Sequence, residues 1–545
     1  MEAKELERLG AELAGFLGVM TEGMGRMERC RAMQSYVTGL LLDGERKSIQ
    51  PMAARLVQEP REAEAMRQRL QECIAVSDWN EDEVWSRLAL HVETKMPELE
   101  AFVLDDTGFP KKGEHSVGVA RQYSGTLGRV DNCQVATSLH LAGEAGSACI
   151  GMRLYLPEGW AKDADRRAKA GVPEDVELRP KWQLALELLD KALAWGLDKR
   201  VVLADAGYGD CTEFRQELHN RALPYVLGIS GSIVVWRPDE GPEPPPAPPE
   251  KKLGRPRTKW QTGEVKPVSV LKLGLERGRR ALHTVCWRDG SRGRQKSQFG
   301  FERVRTAHGH TKGHAPGREQ WLMYEWPKGE PEPTKFWLAD LSKGASQRKL
   351  VRLAKLRWRV ERDYQEMKGE VGLDHFEGRT WRGFHHHVAL CAVAHAFLAL
   401  QRARYRRGNH PILRTVGAVK RFLQMALLCI LGDCPTCGRK VSALHSPLRH
   451  PGSEPRARWS PYSIPYRHHA PTFLVPICRW RAAVAVCAIP ERTPKLRRAG
   501  RPKTPSIGLV GPENRPSDQV VLVLRSIPSP VGVFATHARI RQRLG

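Results

Sequence analysis

Three acidic residues stand where a metal-dependent phosphoryl-transfer enzyme places its ligands. Asp105 follows the apolar run 101–104, Asp205 follows the apolar run 201–204, and Glu361 lies in a segment with helical spacing. Two strand ends and one helix can bring three carboxylates together from distant parts of the chain. Hard oxygen ligands of this kind suit Mg²⁺ or Mn²⁺, and a pair of such ions activates water and stabilises a leaving phosphate-ester oxygen. The pattern predicts a site of this chemistry.

The elements that must position these acids have the pattern of an α/β core. Short apolar runs bounded by turn residues predict strands at 101–104, 132–141, 148–156, 201–204 and 225–229. Amphipathic spacing predicts helices at about 181–195 and 212–219. Three strands, a helix and then a strand that ends in an acid are the order of a ribonuclease-H-like core.

Changes of pattern divide the chain into five segments. Residues 1–98 are predicted to form a helical N-terminal DNA-binding module, and residues 99–232 the first part of the core. Residues 233–342 begin with a proline-rich loop and continue as a β-rich insertion, with strands predicted at 268–275, 282–287, 321–326 and 335–338. Residues 343–432 carry the helix with Glu361 and two more helices, at about 384–406 and 416–431. Residues 433–545 are basic and are predicted to be mostly irregular, with one short strand at 519–524.

The charge of the chain indicates a polyanionic partner. The 87 Lys and Arg residues exceed the 61 Asp and Glu residues and leave a formal charge of +26. Nucleic acid is the first candidate and an anionic membrane surface the second. The longest apolar stretches stop short of the roughly 20 residues of a membrane span, and the acidic N-terminus does not resemble a secretory signal. The 12 scattered cysteines predict reduced thiols in a cytosol. We therefore expect an intracellular protein that binds nucleic acid.

The segment around Glu361 has two helical faces. A buried stripe is predicted at Leu353, Leu356, Val360, Tyr364, Met367 and Val371. Arg357, Glu361 and Lys368 form a second face, where a carboxylate could bind metal while the cations bind phosphates. The alternative is an ordinary Arg–Glu pair on a solvated face, worth about 0.2–0.5 kcal/mol. Each Asp that follows a strand could likewise begin a turn or cap a helix.

Together these motifs resemble bacterial insertion-sequence transposases of the DDE type. The motifs are Asp105-Asp106-Thr107, Asp205-Ala206-Gly207-Tyr208 and Arg357-Trp358-x-x-Glu361 with Lys368. The stretches 105–123 and 372–387 are similar to one branch of that group, and the resemblance covers roughly residues 30–435. It implies a ribonuclease-H-like core with a β-rich insertion before the last catalytic helix.

The resemblance also implies an activity and a set of site residues. The protein would be a DNA transposase that cleaves phosphodiesters at transposon ends and transfers the strand into target DNA. Asp105, Asp205 and Glu361 would be the catalytic residues and would hold two Mg²⁺ ions, for which Mn²⁺ would substitute. Arg357 and Lys368 would contact DNA phosphates.

Further expectations concern partners and surroundings. The partners would be double-stranded DNA, as terminal inverted repeats and as target, bound by a homodimer without any membrane. The location would be the bacterial cytoplasm, at the nucleoid. Lys111, Lys112 and Arg121, beside Asp105, would be either a DNA-facing patch or a solvated charge run.

The chain departs from the family pattern at one position, and one assignment stays open. The family it resembles has a Tyr-Arg-Glu-Lys signature around the third acid, and the tyrosine of that signature would fall at position 354, which is Ala354. Asp106 is the alternative to Asp105 as the first acid. Two other functions therefore remain as hypotheses: a catalytically inactive, transposase-derived DNA-binding protein, and a ribonuclease-H-like nuclease that acts on RNA–DNA hybrids.

Other motifs have both a functional and a non-functional interpretation. The run His385–His387 would begin a helix or contact phosphates rather than bind zinc, because consecutive helical residues face different ways. Cys434 and Cys437 form half of a zinc site without a matching second pair. The segments 254–257 and 500–503, Gly-Arg-Pro followed by a cation, resemble minor-groove hooks but also occur by chance in basic loops. We expect residues after about 440 to be a dispensable extension.

Overall fold

A computed structural model describes residues 3–237, 240–245, 258–261, 266–290, 293–310, 312–408 and 413–431. Several predictions lie outside the described residues. They are both Gly-Arg-Pro segments, the Cys434 and Cys437 pair, the segment 433–545 with its strand at 519–524, and part of the proline-rich loop.

The N-terminal segment is helical, as predicted. Its helices are α1 (Ala3–Thr21), α2 (Met27–Leu41), α3 (Ile49–Leu56), α4 (Ala63–Ala75) and α5 (Glu81–Lys95), with a 3-10 turn at Pro60–Glu62. Their apolar stripes belong to the same hydrophobic cluster as the sheet that follows. The predicted DNA-binding role of this segment stays a prediction.

Within the described residues, one mixed sheet of 12 strands forms the centre of the fold. The strands are β1 (Leu99–Pro110), β2 (Ala120–Ser124), β3 (Arg129–Gly143), β4 (Ser147–Leu154), β5 (Val201–Ala204), β6 (Tyr225–Ile229), β7 (Val234–Trp236), β8 (Val268–Ser269), β9 (His283–Gly290), β10 (Gly293–Thr306), β11 (Glu319–Glu325) and β12 (Lys335–Ala339). The first half has the order β4-β3-β1-β5-β6, with β1, β3 and β4 antiparallel and β5 and β6 parallel to β1. The five strands predicted in this half are confirmed, whereas β2 was not predicted.

The insertion after residue 233 is β-rich as predicted, but its strands continue the same sheet. β12 pairs with β6 in antiparallel register, and β11, β10, β7 and β8 follow. The strand predicted at 268–275 is wrong. Only Val268–Ser269 is extended, and α11 (Val270–Arg277) begins directly after it, with the Ser269 side chain accepting from the backbone N–H of Lys272. Val270, Leu273 and Gly274 are buried at helical spacing, so the apolar run belongs to a short buried helix.

The remaining helices cover both faces of the sheet. They are α6 (Glu158–Ala161), α7 (Ala164–Ala170), α8 (Lys181–Ala194), α9 (Ala206–Gly209), α10 (Thr212–Asn220), α12 (Gln347–Leu356), α13 (Trp358–Val371), α14 (Trp381–Arg407) and α15 (Val416–Leu431). Leu188 of α8 packs against Gly151 of β4 on one face. Tyr364 of α13 bonds to Ser138 of β3 on the opposite face. The stripe predicted from Leu353 to Val371 is buried, but it is shared between α12 and α13.

Helix α14 is the central helix of the core. It packs against β4 and against α2, α4 and α5 of the N-terminal segment. By length and composition it could cross a membrane, but 94% of its apolar window is buried inside the protein. This burial is that of a core helix.

His385, His386 and His387 lie in the first turns of α14, as predicted, but they do not face solvent. Each is at most 2% exposed. Rings of His385 and His386 bond to backbone carbonyls, and His387 bonds through Nδ1 to the Tyr36 hydroxyl at 2.9 Å. The phosphate-contact interpretation is therefore wrong. His386 and His387 join α14 to the N-terminal segment, whereas His385 bonds to Trp381 of its own helix and to the backbone N–H of Leu154 in β4.

His387 gives the fold a dependence on pH. Burial lowers its pKa to about 4, below the roughly 6.5 of an unfolded chain, so the folded state binds fewer protons. The stabilisation is fully present above pH 6.5 and is lost as pH falls towards 4. Between pH 7 and pH 5 the wild type should lose about 2 kcal/mol more unfolding free energy than His387→Gln. Urea denaturation at both pH values measures this difference.

The matched control is His115→Gln, because His115 is exposed. It should keep the pH dependence of the wild type. Equal losses for wild type and His387→Gln would contradict the assignment of a neutral, buried His387.

Candidate active site

The parallel pairing of β1 with β5 brings two of the predicted acids side by side. Ala101 pairs with Val201 and Val103 with Leu203. Asp205 directly follows β5, so this register brings it towards Asp105, and its charge raises the pKa of Asp105. Neighbouring strands lie about 4.8 Å apart. Asp205 also caps α9, because its Oδ1 accepts from the backbone N–H of Gly207 at 2.9 Å, so the capping alternative describes part of its role.

Arg357 joins the third acid to this pair. It lies at the junction between α12 and α13. Its guanidinium donates to Asp105 Oδ2 at 2.7 Å and to Glu361 Oε1 at 2.8 Å. The Arg–Glu pair expected from the helical spacing therefore forms, but the same guanidinium also binds an acid from the sheet. This double contact distinguishes it from an ordinary surface pair.

The local electrostatics favour an additional cation. Burial raises the pKa of Asp105 to about 7, with Arg357 opposing that rise and Asp205 adding to it. Positive charge beside Asp105 is therefore insufficient to keep it fully ionised near neutral pH. Carboxylate oxygens from Asp105, Asp205 and Glu361 are the donor set that hard divalent ions prefer. The residues present fit such ions.

Asp106 faces the opposite side of the sheet, because side chains alternate along a strand. Its Oδ1 accepts from the Tyr208 hydroxyl at 2.5 Å and from Thr137 Oγ1 at 3.0 Å. Its Oδ2 pairs with Lys181 Nζ at 2.8 Å. Asp106 thus connects α8 and α9 to β1 and β3, on the face away from Glu361.

Apart from Arg357, the predicted DNA-binding cations divide into two groups. Lys368 and Lys111 are partly buried and donate to neutral oxygens: Lys368 to Gly108 O at 2.8 Å, and Lys111 to Phe376 O at 2.6 Å. Burial lowers the pKa of both. Lys112 and Arg121 are exposed. Lys368 follows Glu361 by seven residues on α13, so it lies about 10 Å along the same helix.

Several site residues were missed by the sequence prediction. Asp363 is fully buried and accepts from Ser147 Oγ at 2.7 Å, and its other oxygen lies 2.8 Å from His140 Nδ1. Tyr364 bonds to Ser138, and its pKa is raised by burial and by the Asp105 charge. These contacts fix α13 on the sheet. One feature of the sequence could have indicated a role for Asp363, because it is a carboxylate next to the predicted buried stripe. Its hydrogen-bond partners, however, are more than 200 residues away in sequence.

The position of the absent signature tyrosine is also occupied differently. Ala354 is buried on α12. The Asp105 charge raises the pKa of two buried phenols, Tyr364 and Tyr208, and the sequence pattern assigned Tyr364 only to the core stripe.

A second acidic cluster lies behind the site. Within the described residues, Asp363, Glu366 and His395 are the group of three whose ligand atoms all lie within 4.8 Å of one another, and all three are buried. Glu366 already pairs with Arg362, His395 and Arg402, and Asp363 pairs with His140. The negative charge is balanced by side chains, so this cluster is an internal ion-pair network.

Comparison with known proteins defines the class. The sequence model of the DDE superfamily endonucleases matches residues 19–294, which include Asp105 and Asp205 and end before Glu361. This match covers just over half of the chain, and the chain therefore belongs to the DDE superfamily of endonucleases. Enzymes of this superfamily use divalent metal ions.

Two individual proteins are similar to the chain. A probable transposase for insertion sequence element IS701 from Microchaete diplosiphon is 28% identical over 170 residues, which are 31% of this chain and 42% of that protein. The chain thus matches less than half the length of this curated relative. The cryo-EM structure of a piggyBac transposase synaptic complex with hairpin DNA aligns over 79% of this chain and 74% of that one, with 11% identity and a TM-score of 0.38.

The opposite directions of Asp105 and Asp106 can be tested without any reaction. Asp105→Asn should weaken Mn²⁺ binding by at least roughly 10–100-fold, because mutation of a residue that only supports a metal ligand already has an effect of this size. Asp106→Asn should bind Mn²⁺ as the wild type does. It should instead lose about 1–3 kcal/mol of unfolding free energy, because Lys181 and Tyr208 lose their charged acceptor. Titration calorimetry and urea denaturation of the purified chain measure the two effects. The reverse pattern of ion binding would make Asp106 the ligand.

Proposed function

We propose that this protein is a DNA transposase that cuts phosphodiesters at the ends of its element and joins the freed ends to target DNA. The observation that supports this most is the convergence of Asp105, Asp205 and Glu361 around the Arg357 guanidinium. Arg357 hydrogen-bonds to two of these acids and interacts electrostatically with Asp205. Membership of the DDE superfamily gives the class of reaction.

The strand order supports a ribonuclease-H-like core for this enzyme. Strands β1, β3 and β4 precede helix α8, and β5, which Asp205 follows, comes after it. In the sheet these strands have the order β4-β3-β1-β5-β6, with β5 and β6 parallel to β1. In such a core Asp105 within β1, Asp205 directly after β5 and Glu361 on α13 would form the site, although β1 continues beyond Asp105 rather than ending there as the apolar run predicted. We assign the first acid to Asp105 because it shares a face with Glu361.

Asp105, Asp205 and Glu361 would hold divalent ions, Mg²⁺ with Mn²⁺ as a substitute. Bound there, the ions would supply an activated water and stabilise the developing charge on the leaving oxygen. The protein's own residues position the substrate. Asp205 is fixed by its cap on α9, and Glu361 is fixed by the buried contacts of the neighbouring Asp363 and Tyr364.

Arg357 and Lys368 would bind the DNA phosphates near the cut. When the charge of the acids is neutralised by bound cations, the Arg357 guanidinium is available to a phosphate oxygen. Lys368 donates only to neutral oxygens, Gly108 O and Thr126 Oγ1, so a phosphate would be its stronger acceptor. Exposed Lys112 and Arg121 extend the positive surface. Joining two element ends requires two active sites, so we propose a homodimer in the DNA complex.

Cleavage by acid-to-amide variants tests the function. The substrate is a labelled duplex that carries the DNA flanking the coding region, with Mg²⁺ and the full chain. The wild type should nick the duplex, and Asp205→Asn should reduce the rate by about 10³-fold or more, because a group that acts only in the transition state is removed. Asp198→Asn is the matched control, since this acid is 87% exposed and should leave the rate unchanged.

The other two hypotheses give different outcomes in the same assay. Salt-dependent binding without any nicking by the wild type would indicate an inactive DNA-binding protein, the hypothesis that Ala354 motivates. Faster cleavage of an RNA–DNA hybrid than of the duplex would indicate a ribonuclease-H-like nuclease. Full nicking by Asp205→Asn would contradict the proposed site.

A further inference from the structure

The hairpin of β2 and β3 carries an exposed apolar pair. Tyr123 is 61% exposed and Val130 is 54% exposed. The two residues are cross-strand partners in the antiparallel register, so their side chains lie on the same face. Arg121, two positions before Tyr123, shares that face and is exposed. An exposed aromatic ring with a cation beside it is the composition of a nucleic-acid-binding surface.

The hairpin turn is held against the candidate active site. Gly108 of β1 lies against Ser124, whose Oγ would be only 2.1 Å from a Cβ at position 108. Thr126 Oγ1 accepts from the backbone N–H of Gly108 at 3.3 Å and from Lys368 Nζ at 3.2 Å. The turn is therefore attached to the strand that carries Asp105 and to the helix that carries Glu361.

These attachments fix how far Tyr123 lies from the acids. Gly108 is three residues after Asp105, which is about 10 Å along a strand, and Tyr123 directly precedes Ser124. The platform formed by Arg121, Tyr123 and Val130 thus lies within a few nucleotide spacings of the acids, given about 3.4 Å per nucleotide along a strand.

We propose that this platform binds the DNA end beside the cut, with the Tyr123 ring stacked on an unpaired base and Arg121 on a neighbouring phosphate. The inference rests on the proposed function, since it takes the substrate to be DNA. A nucleic acid fits better than a protein because the nearby exposed side chains, Lys112 and Arg121, are cationic. Asp131, the acid in the hairpin, is neutralised by Arg129 at 2.8 Å.

The test measures binding without cleavage, in EDTA, with the full chain. The probe is the flanking-sequence duplex with a short single-stranded end that contains 2-aminopurine, and a blunt duplex serves for comparison. Tyr123→Ala should bind the single-stranded end about tenfold more weakly, the order expected for loss of one stacked base, and should fail to quench 2-aminopurine. Tyr123→Phe keeps the ring and should quench and bind within about twofold of the wild type.

Leu178→Ala is the matched control, because Leu178 is an exposed apolar residue, 45% accessible, that lies just before α8 and outside the hairpin. It should bind and quench as the wild type does. The proposal would be overturned if Tyr123→Ala bound the single-stranded end and quenched 2-aminopurine as well as the wild type does. It would also be overturned by a loss of dimerisation, seen by sedimentation, with DNA binding unchanged, because the platform would then contact a second copy.

Failure of the proposed transposase function can be distinguished from failure of the platform proposal. A wild type that quenches 2-aminopurine but does not nick DNA in Mg²⁺ would keep the platform and remove the transposase activity. If the wild type nicks DNA and Tyr123→Ala quenches 2-aminopurine as strongly as the wild type, the transposase activity stands and the platform proposal fails.

Discussion

The parallel pairing of β1 with β5 is the constraint on which the candidate site depends. It brings Asp105 of β1 close to Asp205, which directly follows β5, and there both burial and the Asp205 charge disfavour the ionised form of Asp105. Arg357 offsets part of this cost through its contacts with Asp105 and Glu361. The remaining carboxylate charge favours a bound cation at this position, with Asp105 inside β1 and Asp205 directly after β5.

Strand alternation gives two consecutive acids different tasks. Asp105 faces α13 and the other candidate ligands, whereas Asp106 joins α8 and α9 to the sheet through Lys181 and Tyr208. On the α13 side, the buried contacts of Asp363 and Tyr364 with β3 and β4 set the rotation of the helix. The exposure of Glu361, 64%, follows from that rotation.

Short apolar runs predicted the core strands well, because a strand buried on both faces must be apolar throughout. The strands 201–204 and 225–229 agree with the structure at both ends. Edge strand β2 was missed because exposed Arg121 and Tyr123 leave no apolar run. The segment 268–275 was wrongly predicted as a strand, because a buried helix of eight residues has the same composition. Separation of α12 from α13 at Arg357 was not predicted, since the apolar stripe continues through it.

The sequence alone determined the family, the helical N-terminal segment, the core strands and the candidate acids, with Arg357 beside two of them. These features depend on residue type and local periodicity, which are written directly in the chain. Tertiary structure decided that the insertion strands extend one common sheet, that Asp105 and Asp106 face opposite ways, and that His385–His387 are buried. It also decided which side chains support α13. Such properties depend on contacts between residues hundreds of positions apart, and no local pattern encodes those pairings.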